Sequence, residues 1–240
     1  MHKIDEKLAA VTARIARAAQ TAQRNAAGIS LLAVSKTQPA GRLREAYASG
    51  VRRFGENYLQ EALDKQRELH EYNDIEWHFI GPIQSNKTRA IAEHFSWVHS
   101  VERLKIAQRL SDQRPTELGP LNICLQLNID NEPTKAGVTL SELAALADQV
   151  AQLPNLALRG LMAIPSPASD HEDNRRCFAQ VADALKQLRQ SHPNGPLDTL
   201  SMGMSADLEA AIAEGATIVR IGTDIFGPRP SPAQASAHSI

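Results

Sequence analysis

Lysine 36 is the first residue in the chain with a reason to do chemistry. It ends the apolar run Leu31-Leu32-Ala33-Val34-Ser35-Lys36, in which strand alternation puts Leu32, Val34 and Lys36 on one side. A lysine amine that desolvation has freed of its proton can form an imine with an aldehyde. The plainer reading is an ammonium group extending from a strand end into water. A second set of groups lies near the other end of the chain. Ser201-Met202-Gly203-Met204-Ser205 leads from a short apolar run into a helical stretch. Ser205 is therefore placed to cap a helix, with the amides of Met204 and Ser205 at its positive end. Gly222 and Thr223 follow the next apolar run and form a second loop in which backbone can approach a ligand closely. Two such loops suit a phosphate, although a simple helix cap explains Ser205 without one. Arg220 interrupts the apolar sequence Ile218-Val219-Arg220-Ile221. A guanidinium buried there needs a carboxylate or a ligand, and both answers stay open. Asn57, Ile80 and Met162 end three further runs, where each would line a pocket or pack.

The elements that must position these residues follow from periodicity. Ile4, Leu8, Val11 and Ile15 recur at helical spacing, which predicts an amphipathic helix over 3–27. Short apolar runs then alternate with helical stretches to the end of the chain. Strands are expected over 31–36, 53–57, 76–81, 97–101, 121–129, 156–164, 199–203 and 217–221. Helices are expected over 58–70, 86–95, 103–113, 172–190 and 205–214, with another ending at Gly50 and one opening at the Thr139/Glu142 capping-box pair. Eight strand–helix units point to an α/β protein, a single (β/α)8 TIM-type barrel with an extra N-terminal helix. An open doubly wound sheet is the alternative, but Ser35-Lys36-Thr37-Gln38 stands where its glycine-rich turn would follow the first strand. No helix is evident after the eighth strand, a gap the N-terminal helix is free to cover. In a parallel barrel the functional face lies at the strand ends, which is where the residues above fall.

Composition removes several other classes. Twenty-six basic and 27 acidic residues leave a net charge of −1, which offers no broad footprint for nucleic acid or an anionic membrane. Charges at Lys3, Asp5, Glu6 and Lys7 argue against a secretory signal, and no segment is apolar for the length of a bilayer, so a cytoplasmic location is expected. Cys124 and Cys177 are far apart, as packed thiols in a reducing compartment would be. The eight histidines show no HExxH or paired-ligand spacing, so no metal site is expected.

Six blocks, in order along the chain, resemble the YggS/PROSC family of pyridoxal phosphate homeostasis proteins. They are Ala33-Val34-Ser35-Lys36, Phe54-Gly55-Glu56-Asn57, His78-Phe79-Ile80-Gly81 with Gln84, Asn86 and Lys87, Gly160-Leu161-Met162, Leu200 to Ser205 with Asp207, and Arg220-Ile221-Gly222-Thr223. The resemblance implies a barrel like the N-terminal domain of alanine racemase, over residues 1–227, with 228–240 as a flexible tail. It implies pyridoxal 5'-phosphate (PLP) held as a Schiff base on Lys36. It further implies phosphate contacts from Ser201, Met204, Ser205, Gly222 and Thr223, Arg220 facing the pyridine nitrogen, and Asn57, Ile80 and Met162 around the ring. The expected role is storage, delivery or buffering of PLP by a monomer whose partners are PLP and PLP-dependent apoenzymes. A PLP-dependent amino-acid racemase is the alternative. No racemase or transaminase turnover is expected, because the chain stops soon after the eighth strand, with no room for the second, β-rich domain that supplies a tyrosine base in alanine racemase.

Overall fold

A computed structural model describes residues 3–132, 134–166 and 171–228, so the expected tail lies outside the described residues from 229 onward. The chain runs α1 (Lys3–Thr21), β1 (Ser30–Val34), α2 (Ala40–Ala48), β2 (Arg53–Glu56), α3 (Leu59–Glu68), β3 (Glu76–Phe79), α4 (Thr88–His94), β4 (Trp97–Val101) and α5 (Leu104–Gln113). It continues through β5 (Leu121–Leu127), α6 (Leu140–Val150), β6 (Leu156–Ala163), α7 (His171–Ser191), β7 (Thr199–Ser201), α8 (Leu208–Ala213), β8 (Ile218–Ile221) and α9 (Thr223–Phe226). All eight strands are parallel and close into one barrel, with β8 returning to β1 in the register Ser30 to Ile218 and Leu32 to Arg220. The (β/α)8 architecture read from the sequence is the observed one.

Period-two alternation along the strands divides the buried residues into two cores. Outward-facing residues such as Phe54, Phe79, Ile123, Leu125 and Leu161 pack with the helices in the large outer core. Leu32, Trp97, Cys124, Met162 and Ile218 meet inside the barrel, with Ile80 against them. Trp97 closes the end where the strands begin. The Arg159 guanidinium lies 5.0 Å from its ring centroid, bonded to Asn122 and Asp198. Gly160 makes the junction of β6 and β7 possible. It sits at φ +155, and a Cβ there would come within 1.8 Å of the Thr199 carbonyl.

The elements differ from expectation at their ends and around the last two strands. The first strand stops at Val34, so Lys36 occupies a turn in which Thr37 takes φ +65. The expected helix over 205–214 begins only at Leu208 with Asp207 as N-cap, so Ser205 belongs to the preceding turn and is not the cap. In that turn the Met204 N–H donates to Asp207 Oδ1 at 2.6 Å, and the Asp207 side chain makes no cap bond to α8. The Thr139/Glu142 capping box opens α6 as expected, with Thr139 N–H donating to the Glu142 carboxylate at 3.1 Å. After β8 comes the four-residue α9, which the sequence reading lacked. α1 packs on both α8 and α9, and Arg14 ties it to Glu209 at 2.7 Å and to Asp224 at 3.1 Å. The ring of helices is thereby closed where α9 alone is too short to cover the sheet.

Candidate functional site

A cavity of about 270 Å³ opens where the strands end. Its wall includes Lys36, Asn57, Ile80, Met204, Ser205, Arg220, Gly222 and Thr223, eight of the ten candidate residues. The other two, Met162 and Ser201, stand below the cavity in the barrel interior, buried to 1% and 0% exposure. Met162 packs in the inner core, and the Ser201 hydroxyl is engaged with His99 and Arg220. The described residues contain no group of three or more potential metal ligands and no helix long and apolar enough to cross a membrane.

Lys36 owes its position to a clamp beneath its loop. Lys65, on the inner face of α3 and only 4% exposed, donates to the Ser35 carbonyl at 2.7 Å, to Glu56 Oε1 at 2.7 Å and to Glu61 Oε1 at 2.6 Å. The Ser35 hydroxyl donates to Glu56 Oε1 at 2.6 Å, and the Thr37 N–H donates to Glu61 Oε1 at 2.6 Å. Both neighbours of Lys36 are therefore tied to one buried ion cluster. Burial raises the Glu56 carboxyl from its ordinary value, against the pull of Lys65 and Ser35. Sequence reading passed over this cluster. Its signal was a glutamate closing a buried strand, with a lysine nine residues on and one helical turn past the buried Ala62.

Arg220 is buried, yet among the described residues no carboxylate forms an ion pair with it. Nη1 donates to the carbonyl of Ser201 and to its hydroxyl at 2.9 Å, and Nη2 donates to the Ala163 carbonyl at 2.9 Å. Burial lowers its pKa to about 10, so the group remains a cation at neutral pH. Of the two answers left open by the sequence, a carboxylate partner is therefore ruled out among the described residues. The guanidinium lines the cavity floor with neutral acceptors behind it, an arrangement that suits a ligand acceptor in front.

The rest of the wall is a set of donors and one orphan acceptor. Within the described residues the backbone N–H groups of Ser205, Ala206, Gly222 and Thr223 have no acceptor, and the hydroxyls of Ser205 and Thr223 stand beside them. Gly222 lies against the β1 backbone, where a Cβ would approach the Val34 carbonyl to 3.1 Å. Asn57 Oδ1 is buried and meets no donor. An amine, a cluster of N–H and O–H donors suited to a dianion and a buried cation thus face one space, with an unsatisfied carbonyl oxygen buried in its wall. These groups fit a small anionic aldehyde with a polar ring. The interior below also holds His78 and His99, which the sequence reading left without a role.

A model of the family "Alanine racemase, N-terminal domain" matches residues 7–230. The chain is 61% identical over 236 residues to a pyridoxal phosphate homeostasis protein of Pseudomonas aeruginosa, covering 98% of this chain and 100% of that one. It is 53% identical over 231 residues to the protein of that name in Escherichia coli K12, covering 95% and 98%. PipY of Synechococcus elongatus PCC7942, solved with PLP bound, superposes with a TM-score of 0.83 at 40% identity, over 94% of this chain and 100% of that one. Alanine racemase of Corynebacterium glutamicum shares the fold at 17% identity and a TM-score of 0.66, over 94% of this chain and 62% of its own.

The buried titratable groups govern stability in two ways that can be measured. Lys65→Met leaves the Glu56 carboxylate without its cation, and breaking a buried pair in this way costs about 3–5 kcal/mol. The urea midpoint should fall accordingly and recover in part when Glu56→Gln is added. A double variant no more stable than Lys65→Met would show that no charge is buried there.

Burial lowers the pKa of both His78 and His99 from 6.5, so the folded protein keeps them neutral where the unfolded chain takes up protons. Stability is then fully present above pH 6.5 and falls as the pH drops below it, by at most about 1.4 kcal/mol per pH unit for each histidine. Denaturation at pH 7.5 and 5.5 should show the loss, with a shallower slope in His99→Phe. A midpoint that does not move over this range would contradict neutral burial.

Proposed function

The chain belongs to the alanine racemase N-terminal-domain family and, within it, to the pyridoxal phosphate homeostasis proteins, and from that premise we propose that it binds PLP as a Schiff base on Lys36. Its role on this reading is storage, delivery or buffering of the cofactor for PLP-dependent apoenzymes. The observation that carries the reading is the convergence of Lys36, the 204–206 and 222–223 loops and Arg220 on one cavity. The ends of β1, β7 and β8 supply the three kinds of group that an aldehyde, a phosphate and a pyridine ring require. When bound, PLP supplies an aldehyde carbon for an amine and an electron sink for amino acids.

The residues of the chain favour holding over turnover. Ser205, Thr223 and the N–H groups around them bind the phosphate, and Asn57 and Ile80 set the ring against Lys36. Arg220 donates to the ring nitrogen, and a cation there opposes protonation of that nitrogen, which weakens the electron sink. A racemase also needs a second base on the face opposite the lysine. Among the described residues the cavity wall offers no tyrosine, histidine or carboxylate for that role.

Borohydride reduction of the protein with PLP, followed by peptide mapping, should place the label on the Lys36 peptide. Lys36→Ala should lose the label and keep weak binding. Label on another lysine, such as Lys135, would displace the assignment.

Ser205→Ala and Thr223→Val each remove a hydroxyl proposed to bond a dianion, so each should weaken PLP binding by roughly tenfold to a hundredfold while leaving pyridoxal binding nearly unchanged. Equal losses for both ligands would mean that these residues support the loops and do not grip phosphate.

A further inference from the structure

A line of polar side chains crosses the barrel interior from the face opposite the cavity to the cavity floor. Glu76, at the start of β3, is partly exposed in a groove with Ser30 and Arg53 at the other strand beginnings. Its Oε1 lies 2.9 Å from His78 Nε2 and 3.0 Å from Arg53 Nε. His78 Nδ1 is 2.9 Å from His99 Nε2, and His99 Nδ1 is 2.7 Å from Ser201 Oγ. Ser201 Oγ is in turn 2.9 Å from Arg220 Nη1. His78, His99 and Ser201 are completely buried, and Arg220 is 4% exposed.

The chemistry of the two ends fixes the direction of every bond between them. A guanidinium only donates and a carboxylate only accepts. The Glu76 carboxylate accepts, so a neutral His78 carries its proton on Nε2 and its Nδ1 accepts. His99 must then donate from Nε2, which leaves its Nδ1 as an acceptor. Ser201 Oγ therefore directs its own proton to His99 Nδ1 and accepts from Arg220. Each link points the same way, both imidazoles are neutral Nε2–H tautomers, and every polar atom of the two rings is used.

From this arrangement we propose that Glu76, His78, His99 and Ser201 form a one-way hydrogen-bond relay that positions Arg220 for the ligand's ring nitrogen, so that a carboxylate on the far face of the barrel controls how the ring is held. The proposal deepens the PLP-binding reading and rests on it. His78, His99 and Ser201 are positioning residues, since none of them lines the cavity. A chain polarised along its whole length by a terminal carboxylate binds a cation more firmly than an isolated hydroxyl does. The surroundings protect it. His78 faces Glu76, the charge of Arg53, the stacked Trp97 ring at 5.5 Å and His99. His99 faces His78, Trp97, Ser201 and the charge of Arg220. The other titratable groups near Arg220 are Asp207 and the Cys124 thiol, which burial pushes up to about 12 and so keeps neutral.

Two measurements test the relay. Long-range 15N–1H correlation of the imidazoles in the ligand-free protein at neutral pH should show His78 and His99 as Nε2–H tautomers; Nδ1–H tautomers or charged rings would overturn it whatever the ligand. Glu76→Ala removes the terminal acceptor on the far face and should weaken PLP binding by roughly threefold to tenfold and shift the visible band of the complex, with the melting transition still cooperative. His99→Phe should do the same more strongly, and if that buried change prevents folding, Glu76→Ala decides. Wild-type affinity and an unshifted band in Glu76→Ala would overturn the relay. Failure of the unmodified protein to bind PLP would instead remove the functional reading, and the tautomers would then decide the relay alone.

Discussion

A guanidinium inside a parallel barrel sets the terms for everything around it. Arg220 sits on β8 opposite Leu32 of β1, in a space that most barrels fill with branched apolar side chains. Desolvating that charge is costly unless hydrogen bonds and a counter-charge answer it. The backbone carbonyls of Ser201 and Ala163 answer part of it, and the Ser201 hydroxyl carries the remainder through two imidazoles to a carboxylate at the opposite face. The interior is correspondingly divided into an apolar half, Leu32, Cys124, Met162 and Ile218, and a polar column, His78, His99, Ser201 and Arg220. Arg220 lies in the wall of the cavity of about 270 Å³ at the strand ends. Gly55, where a Cβ would meet Leu32 and Ile80 at 3.2 Å, helps keep the layer beneath the cavity thin.

Lys36, the proposed attachment point, is placed by a different device. Lys36 lies past the end of its strand, where a loop residue would ordinarily be mobile. Its neighbours Ser35 and Thr37 are tied to the Lys65, Glu56 and Glu61 cluster, so the backbone that presents Lys36 is anchored on both sides. The opposite wall is built from the loops that lead into α8 and α9, where the N–H groups of Ser205, Ala206, Gly222 and Thr223 have no acceptor among the described residues. Positive φ at Thr37 and Gly203, which bracket the two walls, marks the turns that bring them face to face.

Much of this was legible in the chain. The strand count, the N-terminal helix, the capping box at Thr139 and the eight cavity residues follow from periodicity and from position at strand ends. The ends of elements were not legible, because local bonds decide them. The start of α8 falls past Ser205, after a turn in which Asp207 accepts from the Met204 N–H, and a four-residue α9 carries no periodicity to detect. The interior polar column was missed for a related reason. His78 and His99 are 21 residues apart in sequence and become partners only when β3 and β4 pair in register, with His78 opposite Trp97. Ser201 was expected at the phosphate from its block alone, whereas in the fold its hydroxyl turns inward to Arg220 and His99.

The central claim is that Arg220 pairs directly with no carboxylate among the described residues because its partner is a ligand ring, gripped at one end by Lys36 and at the other by the loops after β7 and β8. A crystal structure of this chain soaked or grown with PLP tests it most directly. The account predicts density continuous with Lys36, the phosphate among the N–H groups of Ser205, Ala206, Gly222 and Thr223, and the ring nitrogen within hydrogen-bond distance of Arg220. PLP elsewhere, or bound in the cavity with its phosphate on Arg220 and its ring nitrogen in solvent, would contradict it.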